Sequence, residues 1–216
     1  MTRVLEKAEV RRVYTSTAPF YDVWARLTES RARRRVLDLA AVCDGETVLE
    51  VAVGTGLLFA ELLRYNPHGR NQGIDLTPAM LERARTRAAR SGATNWRLSE
   101  GDAGALDFPA GSFDVVLNCY MFDLLPEADF ERVLSEFHRV LRPGGRVIIA
   151  SLAPAESVTY KLWQRLYRIN PGWVGGCRGV ELAGPIERAR FQIDLCERIV
   201  QLALVTELIR AVKLAN

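Results

Sequence analysis

The hydrophobic positions of this chain change period several times, from helical spacing to short continuous apolar runs. Residues 31–42 place Val, Leu and Ala at helical spacing among arginines, which predicts an amphipathic helix. The run 47–52 is short, β-branched and apolar, which predicts a buried strand, and residues 57–65 return to helical composition. Gly54 and Gly56 lie between them. This part of the chain therefore predicts a strand, a glycine turn and a helix.

The same alternation of strand and helix continues along the chain. A second strand closes at 73–75, and a helix follows over 80–91, with Thr77 at its N-cap and Pro78 in its first turn. The alternation predicts a parallel sheet covered by helices on both faces. Further strands are predicted at 96–98, 113–118 and 146–151, and a helix at 129–141.

The last part of the chain departs from this alternation. Residues 191–199 and 204–213 favour two strands with a short connection, which would form an antiparallel hairpin at the sheet edge. The alternative is a helix over 195–208. With the five strands before it, the hairpin predicts a mostly parallel, seven-stranded α/β sheet.

Composition and charge indicate an ordinary globular protein that acts on a small molecule. Of 216 residues, 49% are hydrophobic and 25% charged, which allows a sizeable core. The 29 basic and 26 acidic side chains give a net charge of +3, too balanced for nucleic acid as the main partner. The basic stretches 31–35 and 83–90 are interpreted as solvated helix faces.

Cysteines and histidines do not have the spacing of a metal site or a disulfide framework. They are Cys43, Cys119, Cys177, Cys196, His68 and His138. The N-terminus lacks the apolar segment of a secretory signal, and no run reaches the ~18 apolar residues of a transmembrane helix. We therefore expect no metal, a cytoplasmic protein with reduced thiols, and only peripheral contact with any membrane.

An acidic residue precedes the glycine turn. Glu50 lies near the end of the first strand, where a carboxylate pairs with a cationic amino group and would repel a pyrophosphate. Gly54 and Gly56 permit positive φ and close approach of a ligand to the backbone. A nicotinamide fingerprint needs a third glycine, and Phe59 stands at that position. These features disfavour a nicotinamide oxidoreductase.

Two further acidic residues follow the next strands. Asp75 suits a ribose diol, because a carboxylate accepts hydrogen bonds from both hydroxyls. Asp102 can accept a hydrogen bond from the exocyclic amine of adenine, with Ala103 packing on the ring. The alternative for each aspartate is that it caps a helix or turn. Three acids at three successive strand ends favour a shared ligand site.

These motifs together resemble the class I S-adenosylmethionine-dependent methyltransferases, most closely the branch of ubiquinone/menaquinone-biosynthesis methyltransferases. The resemblance implies a Rossmann-like fold, transfer of a methyl group to a small acceptor, and S-adenosylmethionine as cofactor. Val53 departs from the family pattern, which often has a smaller residue at this position. The larger side chain raises the question of whether the turn can close as tightly as in the family. The matching segments are 18–22, 48–56, 73–81, 101–103, 112–116 and 139–145.

The resemblance also assigns roles to residues and regions. It implies that Glu50 and the turn hold the methionine part of the cofactor, that Asn118 lies near the sulfonium and that Tyr21 closes over the site. The expected cofactor-binding residues are Tyr21, Glu50, Val51, Ala52, Gly54, Thr55, Gly56, Asp75, Leu76, Asp102, Ala103 and Asn118. We expect one methyltransferase domain over 1–216, made of a helical cap (1–42), a cofactor-binding core (43–152) and an acceptor-shaping segment with the edge hairpin (153–216).

The acceptor side is predicted less sharply. Segment 153–190 is rich in aromatic residues, which either shape a pocket for an aromatic or lipid-like acceptor or pack in the core. Tyr120 and Asp123, just past the fourth strand, are weak candidates to help a proton leave. Cys177 is not expected to be a nucleophile, since no histidine lies near it in sequence. His138 is expected at the surface.

The sequence leaves several functions open. One is C- or O-methylation of a quinone or phenol, and another is N-methylation of a phospholipid or small amine. A third, from a different class, is a protein that binds the cofactor without catalysis. The intact cofactor residues disfavour this last alternative.

Overall fold

The computed structural model describes the backbone of residues 7–201 and 204–214, with side chains at all of these except 7, 16–21, 23, 24, 26, 27 and 173. The helices are α1 (Lys7–Thr28), α2 (Ser30–Ala40), α3 (Leu57–Tyr65), α4 (Pro78–Ala89), α5 (Phe130–Val140), α6 (Val158–Ile169) and α7 (Ala183–Arg188). The strands are β1 (Thr47–Val51), β2 (Arg70–Asp75), β3 (Trp96–Glu100), β4 (Phe113–Cys119), β5 (Leu141–Leu152), β6 (Phe191–Gln201) and β7 (Leu204–Lys213). Short 3-10 helices cover Phe122–Leu124, Glu127–Asp129 and Pro171–Val174.

The strands form one sheet in the order β3-β2-β1-β4-β5-β7-β6. The first five strands along the chain pair in parallel, whereas β7 lies antiparallel between β5 and β6. The strand order reverses between β1 and β4. Ligands of open α/β sheets bind outside the carboxyl ends of the strands at such a point, so the fold places the site there.

Each face of the sheet is covered by an apolar core. Val48 and Leu49 are fully buried neighbours in β1 and point to opposite faces. Leu49 packs in the core that includes Phe137 of α5. Val48 packs in the other core, with Val36 of α2 and Phe59 of α3. The β1 run is apolar on both sides because helices cover both of its faces.

The predicted fold class is confirmed, and most strand predictions hold within one or two residues. The longest difference is β5, predicted at 146–151, which begins at Leu141 and includes the Pro-Gly-Gly stretch that follows α5. The alternative of a helix over 195–208 is wrong. Side chains of β6 alternate between buried or half-buried and exposed positions, the period of a strand, and β6 pairs with β7.

The helices outside the repeating core were not all predicted. The sequence indicated a helix at 31–42, which is α2, whereas α1 before it had no predicted bounds. No element had been assigned within 153–190, where α6 and α7 lie. In the sequence of α6, aromatic residues alternate with cations, and further apolar residues lie on a second face of the helix. The sequence therefore does not show the single apolar stripe by which an amphipathic helix is recognised.

The interpretation of the arginine runs as solvated faces is wrong for Arg33 and incomplete for Arg87. Arg33 of α2 is only 7% exposed, and its Nη1 donates to the carbonyl of Ala25 at 2.9 Å. Arg87 of α4 is half-buried and pairs with Asp22 of α1. His138, expected at the surface, is half-buried with its ring edge-on to Phe191, and burial lowers the pKa of its imidazole. Tertiary contacts, which the helical period does not report, bring these side chains inward.

The described residues contain no helix with the length and apolar character needed to cross a bilayer. They also contain no group of three side chains placed to ligate a metal ion. The four cysteines are free thiols.

Candidate active site

The turn after β1 is built from three residues with left-handed backbone. Ala52, Gly54 and Gly56 have φ of 61°, 57° and 77°. The turn closes through Gly56 N–H, which donates to the carbonyl of Val53 at 3.0 Å. Val53 is buried, and a Cβ on Gly73 would lie 2.5 Å from its Cγ2, so the missing side chain of Gly73 provides its space. The departure at position 53 therefore leaves the turn closed.

The two glycines of the turn serve different purposes. A Cβ added to Gly56 would lie 2.9 Å from Cα and Cβ of Ala84, so this glycine permits close packing of the turn against α4. A Cβ added to Gly54 would meet no atom within 4 Å. Gly54 borders an open cleft and leaves its backbone accessible to a ligand.

Glu50 lies beneath the turn with an unsatisfied carboxylate oxygen. Glu50 is only 2% exposed, and its Oε2 has no hydrogen-bond partner among the described residues. Burial raises the pKa of Glu50 well above its usual range, the charge of Asp75 adds to this, and the charge of Arg33 opposes it. A buried carboxylate without a partner is costly, and a cationic ligand group would relieve that cost.

Asp75 connects the ends of β1 and β2. Its Oδ2 accepts from Gly54 N–H and its Oδ1 from Thr77 N–H, both at 2.8 Å. Burial raises its pKa, while these backbone hydrogen bonds act in the opposite direction. The capping alternative is therefore correct in part, since Asp75 fixes the turn. Each oxygen still has acceptor capacity, and the residue lines the cleft.

Asp102 and Ala103 follow β3 and also line the cleft. Asp102 Oδ1 accepts from Gly104 N–H at 2.9 Å, so this aspartate likewise stabilises its own turn. The turn chemistry and a position facing a ligand are compatible, because one carboxylate oxygen accepts several hydrogen bonds.

The cleft at the carboxyl ends of the strands has a volume of about 290 Å³. It brings together seven of the twelve predicted cofactor residues. They are Val51, Ala52, Gly54, Asp75, Leu76, Asp102 and Ala103.

Four of the other predicted cofactor residues are not among the described residues that line the cleft: Glu50, Thr55, Gly56 and Asn118. Thr55 Oγ1 donates to Asp22 Oδ1 at 2.6 Å, and its carbonyl accepts from Arg87, so Thr55 joins α1 to the turn. Asn118 is fully buried, and its Nδ2 donates to the carbonyl of Val51 at 2.9 Å. This hydrogen bond joins β4 to β1. Glu50 is buried beneath the turn, Gly56 is part of the turn itself, and the side chain of Tyr21 lies outside the described residues.

The two weak candidates for a proton acceptor differ in position. Tyr120 lines the cleft, and its hydroxyl shares a 2.8 Å hydrogen bond with Thr206 Oγ1. Burial raises its pKa well above the usual range, so the hydroxyl stays protonated. Asp123 does not line the cleft. Both of its oxygens are near the amide of Leu152, at 3.1 and 3.0 Å, and burial raises its pKa.

Asp123→Asn is therefore expected to leave the turnover number within about threefold of the wild type. The amide oxygen can still accept from Leu152 N–H, and the neutral side chain carries no charge to desolvate. Initial rates across the pH range measure this. A hundredfold loss of turnover with the melting temperature unchanged would contradict the placement of Asp123 outside the chemistry.

At the far end of the cleft the sequence indicates Tyr120 but not two further lining residues. Tyr14 of α1 lines it, together with Asp129 at the N-terminus of α5. Asp129 accepts from Arg132 at 2.9 Å, which keeps this carboxylate paired. No local pattern marks Tyr14, whereas the acid at a helix start was a usable signal for Asp129. The remaining lining here is mostly apolar: Val10, Met121, Leu124, Leu125 and Pro126.

Comparison with known proteins gives the family. A model of the methyltransferase domain matches residues 48–145. A demethylmenaquinone methyltransferase of Thermus thermophilus is 37% identical over 170 residues, which cover 76% of each chain. The chain belongs to the class I S-adenosylmethionine-dependent methyltransferases. Within this class it lies near the quinone-biosynthesis branch.

Other relatives and structures extend the comparison. A phosphatidylethanolamine N-methyltransferase of Cereibacter sphaeroides is 37% identical over 148 residues, 68% of this chain and 70% of that one. A demethylmenaquinone methyltransferase of Tropheryma whipplei is 34% identical, and the chain spans 66% of its length. Magnesium protoporphyrin IX methyltransferase from Synechocystis has a TM-score of 0.76 at 17% identity, covering 96% of this chain and all of that one. The last likeness concerns the fold.

The residues of this methyltransferase fit its cofactor. The fit is carried by the unpartnered, buried Oε2 of Glu50 and by the open space at Gly54. Asp75 lies between these two residues and Asp102, and its carboxylate can accept further hydrogen bonds. When bound, S-adenosylmethionine supplies an electrophilic methyl group on a sulfonium.

Proposed function

We propose that this enzyme methylates a small, uncharged aromatic acceptor of the quinol or phenol class, either at a ring carbon or at a hydroxyl oxygen attached to the ring. The observation that carries the proposal is the lining of the cleft. Among the described residues that line it there is no lysine or arginine, and its far end is apolar and aromatic except for Asp129, which is paired with Arg132. A flat neutral ring suits such a surface, whereas an acceptor with a phosphate group would need a cation there.

In the same proposal Glu50 holds the amino group of the cofactor, Asp75 the ribose hydroxyls and Asp102 with Ala103 the adenine. These residues occupy the ends of three neighbouring parallel strands, β1, β2 and β3. The acceptor then occupies the end of the cleft that is lined by Tyr14, Tyr120 and the 3-10 helix Phe122–Leu124. This arrangement places the polar groups of the cofactor beside the acidic residues and the neutral ring of the acceptor beside the apolar lining.

The chain would contribute alignment and exclusion of water. With the cofactor held by Glu50, Asp75 and Asp102, the acceptor nucleophile would take the methyl group, and the electron pair of the broken carbon–sulfur bond would stay on sulfur. The acceptor then loses one proton. Tyr120 stays protonated and donates or accepts a hydrogen bond at a neutral oxygen of the acceptor. Asp129 is the carboxylate of the cleft that lies outside the predicted cofactor set, and it is placed to take the proton.

A second function, N-methylation of a phospholipid amine, is favoured by one other observation. Beside the cleft lies a groove lined by Arg168 and Arg178, which shares Pro126 with it. A phosphate there would leave its amine near Asp129. This alternative agrees with the similarity to the Cereibacter enzyme.

The first test is calorimetric titration with S-adenosylhomocysteine and, separately, with NADH. Binding of the former at about micromolar Kd, with none of the latter, is expected because Glu50 suits an ammonium and Phe59 replaces the third fingerprint glycine. Transfer of labelled methyl groups is then measured to a demethylated quinol, a simple phenol and phosphatidylethanolamine. Label in the lipid amine alone would replace the proposed function with the second one.

A further inference from the structure

The outer face of α6 carries an exposed apolar stripe. Val158, Leu162 and Ile169 are 82%, 58% and 69% exposed. They are spaced by four and seven residues, so they lie on one side of the helix. Three large apolar side chains in line on one short helix differ from isolated apolar residues on a surface, and such a stripe indicates a contact surface.

This stripe is additional to the face by which α6 packs on the protein. Tyr160 and Tyr167 of the inner face are 4% and 3% exposed. Trp163 is half-buried, and its Nε1 donates to the carbonyl of Cys177 at 3.0 Å. The helix is thus fixed by its aromatic residues, and Val158, Leu162 and Ile169 are not needed for that packing.

The charged side chains of α6 are all cations, and Arg165 lies on the same side of the helix as the stripe, between Leu162 and Ile169. Lys161, Arg165 and Arg168 are exposed, and residues 158–169 contain no aspartate or glutamate. Apolar side chains flanked by cations are the pattern of a helix that lies in the interface of an anionic bilayer.

The position of α6 connects this surface with the active site. The groove on its inner side is lined by Trp163 and Arg168 and reaches Pro126, which also lines the cleft. We propose that α6 docks this methyltransferase on an anionic lipid surface through Val158, Leu162 and Ile169 with their flanking cations. Docking in this way places the side of the protein next to the cleft against the bilayer. The proposal concerns the surface and does not rest on which acceptor is methylated.

Vesicle flotation tests the docking. The purified full chain, without cofactor or acceptor, is mixed with vesicles of phosphatidylcholine and phosphatidylglycerol, or of phosphatidylcholine alone. We expect flotation with the mixed vesicles, at least tenfold weaker on phosphatidylcholine alone, and weakened by high salt because the charge contribution is screened. Absence of flotation with the anionic vesicles, or equal flotation with both kinds, would overturn the proposal.

Two matched double variants locate the surface. Leu162→Asn with Arg165→Glu removes one exposed apolar side chain and reverses one charge on α6. Tyr65→Asn with Arg64→Glu makes the same changes on α3, where Tyr65 is 55% exposed. We expect the first pair to lower vesicle affinity at least tenfold and the second to leave it unchanged. Equal loss in both would assign the binding to overall charge and overturn the role of α6.

Two further measurements keep this result separate from the folding of the chain and from the proposed function. Melting temperatures of both double variants should equal that of the wild type, because all four side chains are exposed. Transfer to a water-soluble phenol, without vesicles, should be the same in wild type and the α6 variant. Loss of vesicle binding with unchanged soluble turnover supports docking, whereas a lowered melting temperature that accounts for the loss would remove the support.

Discussion

Glu50→Gln is expected to weaken binding of S-adenosylhomocysteine by about 150- to 4,000-fold while leaving the protein folded. Its Oε2 is buried and unpartnered, so the amino group of the ligand would be its counter-charge. Removing one partner of a buried charge pair costs about 3–5 kcal/mol, and each 1.4 kcal/mol is a tenfold change in Kd. Calorimetry on both proteins measures the difference.

The same variant is expected to lose the pH dependence of ligand affinity. Burial raises the pKa of Glu50, so in the free wild type the carboxyl is protonated over part of the acidic range. Only the ionised form pairs with an ammonium, and wild-type affinity should therefore fall as pH falls through that raised pKa. Glutamine does not titrate, so residue 50 should give the weaker ligand affinity of the variant no dependence on pH.

Stability of the free protein should change in the opposite direction from binding. A carboxyl whose folded pKa is raised contributes stability that is present below its unfolded pKa and is lost as pH rises through the folded pKa. Glu50→Gln lacks this loss, so its free form should melt no lower than the wild type at neutral pH. Glu82→Gln, an exposed residue of α4, is the control with the same charge change. An unchanged Kd in Glu50→Gln would remove Glu50 from the cofactor site.

Much of the cofactor side could be predicted from sequence because its features are local. The end of a buried strand and the two glycines after it fix where the turn lies, and the structure has β1 end at Val51 with the turn directly after it. Asp75 and Asp102 follow β2 and β3 for the same reason. Parallel pairing then brings these strand ends to one edge of the sheet.

Contacts between distant parts of the chain could not be predicted in this way. Arg33 has the pattern of one of several surface arginines, yet it is buried. Its Nη1 donates to the carbonyl of Ala25 of α1, and its charge acts on Glu50. Asn118, predicted to lie near the sulfonium, also donates to the carbonyl of Val51 across a strand pair, a contact that the sequence does not indicate. Periodicity reports which face of an element is apolar and not which distant group it meets.

The acceptor end was the least predictable part for a physical reason. Its lining comes from α1, from the turn after β4 and from the start of α5, which are far apart in sequence. Tyr120 has a left-handed backbone, with φ of 54°, which aims its side chain at Thr206 of β7. A tyrosine in this conformation depends on tertiary contacts, so no sequence pattern announces it.

Gly56→Ala should lower the free energy of unfolding by about 3 kcal/mol, and Gly54→Ala by about 1 kcal/mol. Both residues have left-handed φ, which costs a residue with a Cβ about 1–2 kcal/mol. At Gly56 the new Cβ also meets backbone of Ala84 at 2.9 Å, and backbone in a packed helix cannot move aside. At Gly54 nothing lies within 4 Å.

The order of the two variants should reverse for ligand binding. In Gly54→Ala the methyl group enters the cleft where a ligand approaches the backbone, so Kd for S-adenosylhomocysteine should rise at least tenfold with most of the stability retained. Gly56→Ala should lower the melting temperature by roughly 6–12 °C, at 2–4 °C per kcal/mol for a chain of this size. Thermal melts with and without ligand measure both effects.

Gly92→Ala separates backbone strain from steric overlap. Gly92 follows α4 with φ of 76°, and a Cβ there would meet nothing within 4 Å, so this variant has the strain without the contact. It should resemble Gly54→Ala in stability and the wild type in ligand affinity. If Gly56→Ala melted no lower than Gly92→Ala, the close packing of the turn on α4 would have no energetic consequence. If Gly54→Ala bound ligand as the wild type does, the cofactor would not approach the turn at that residue.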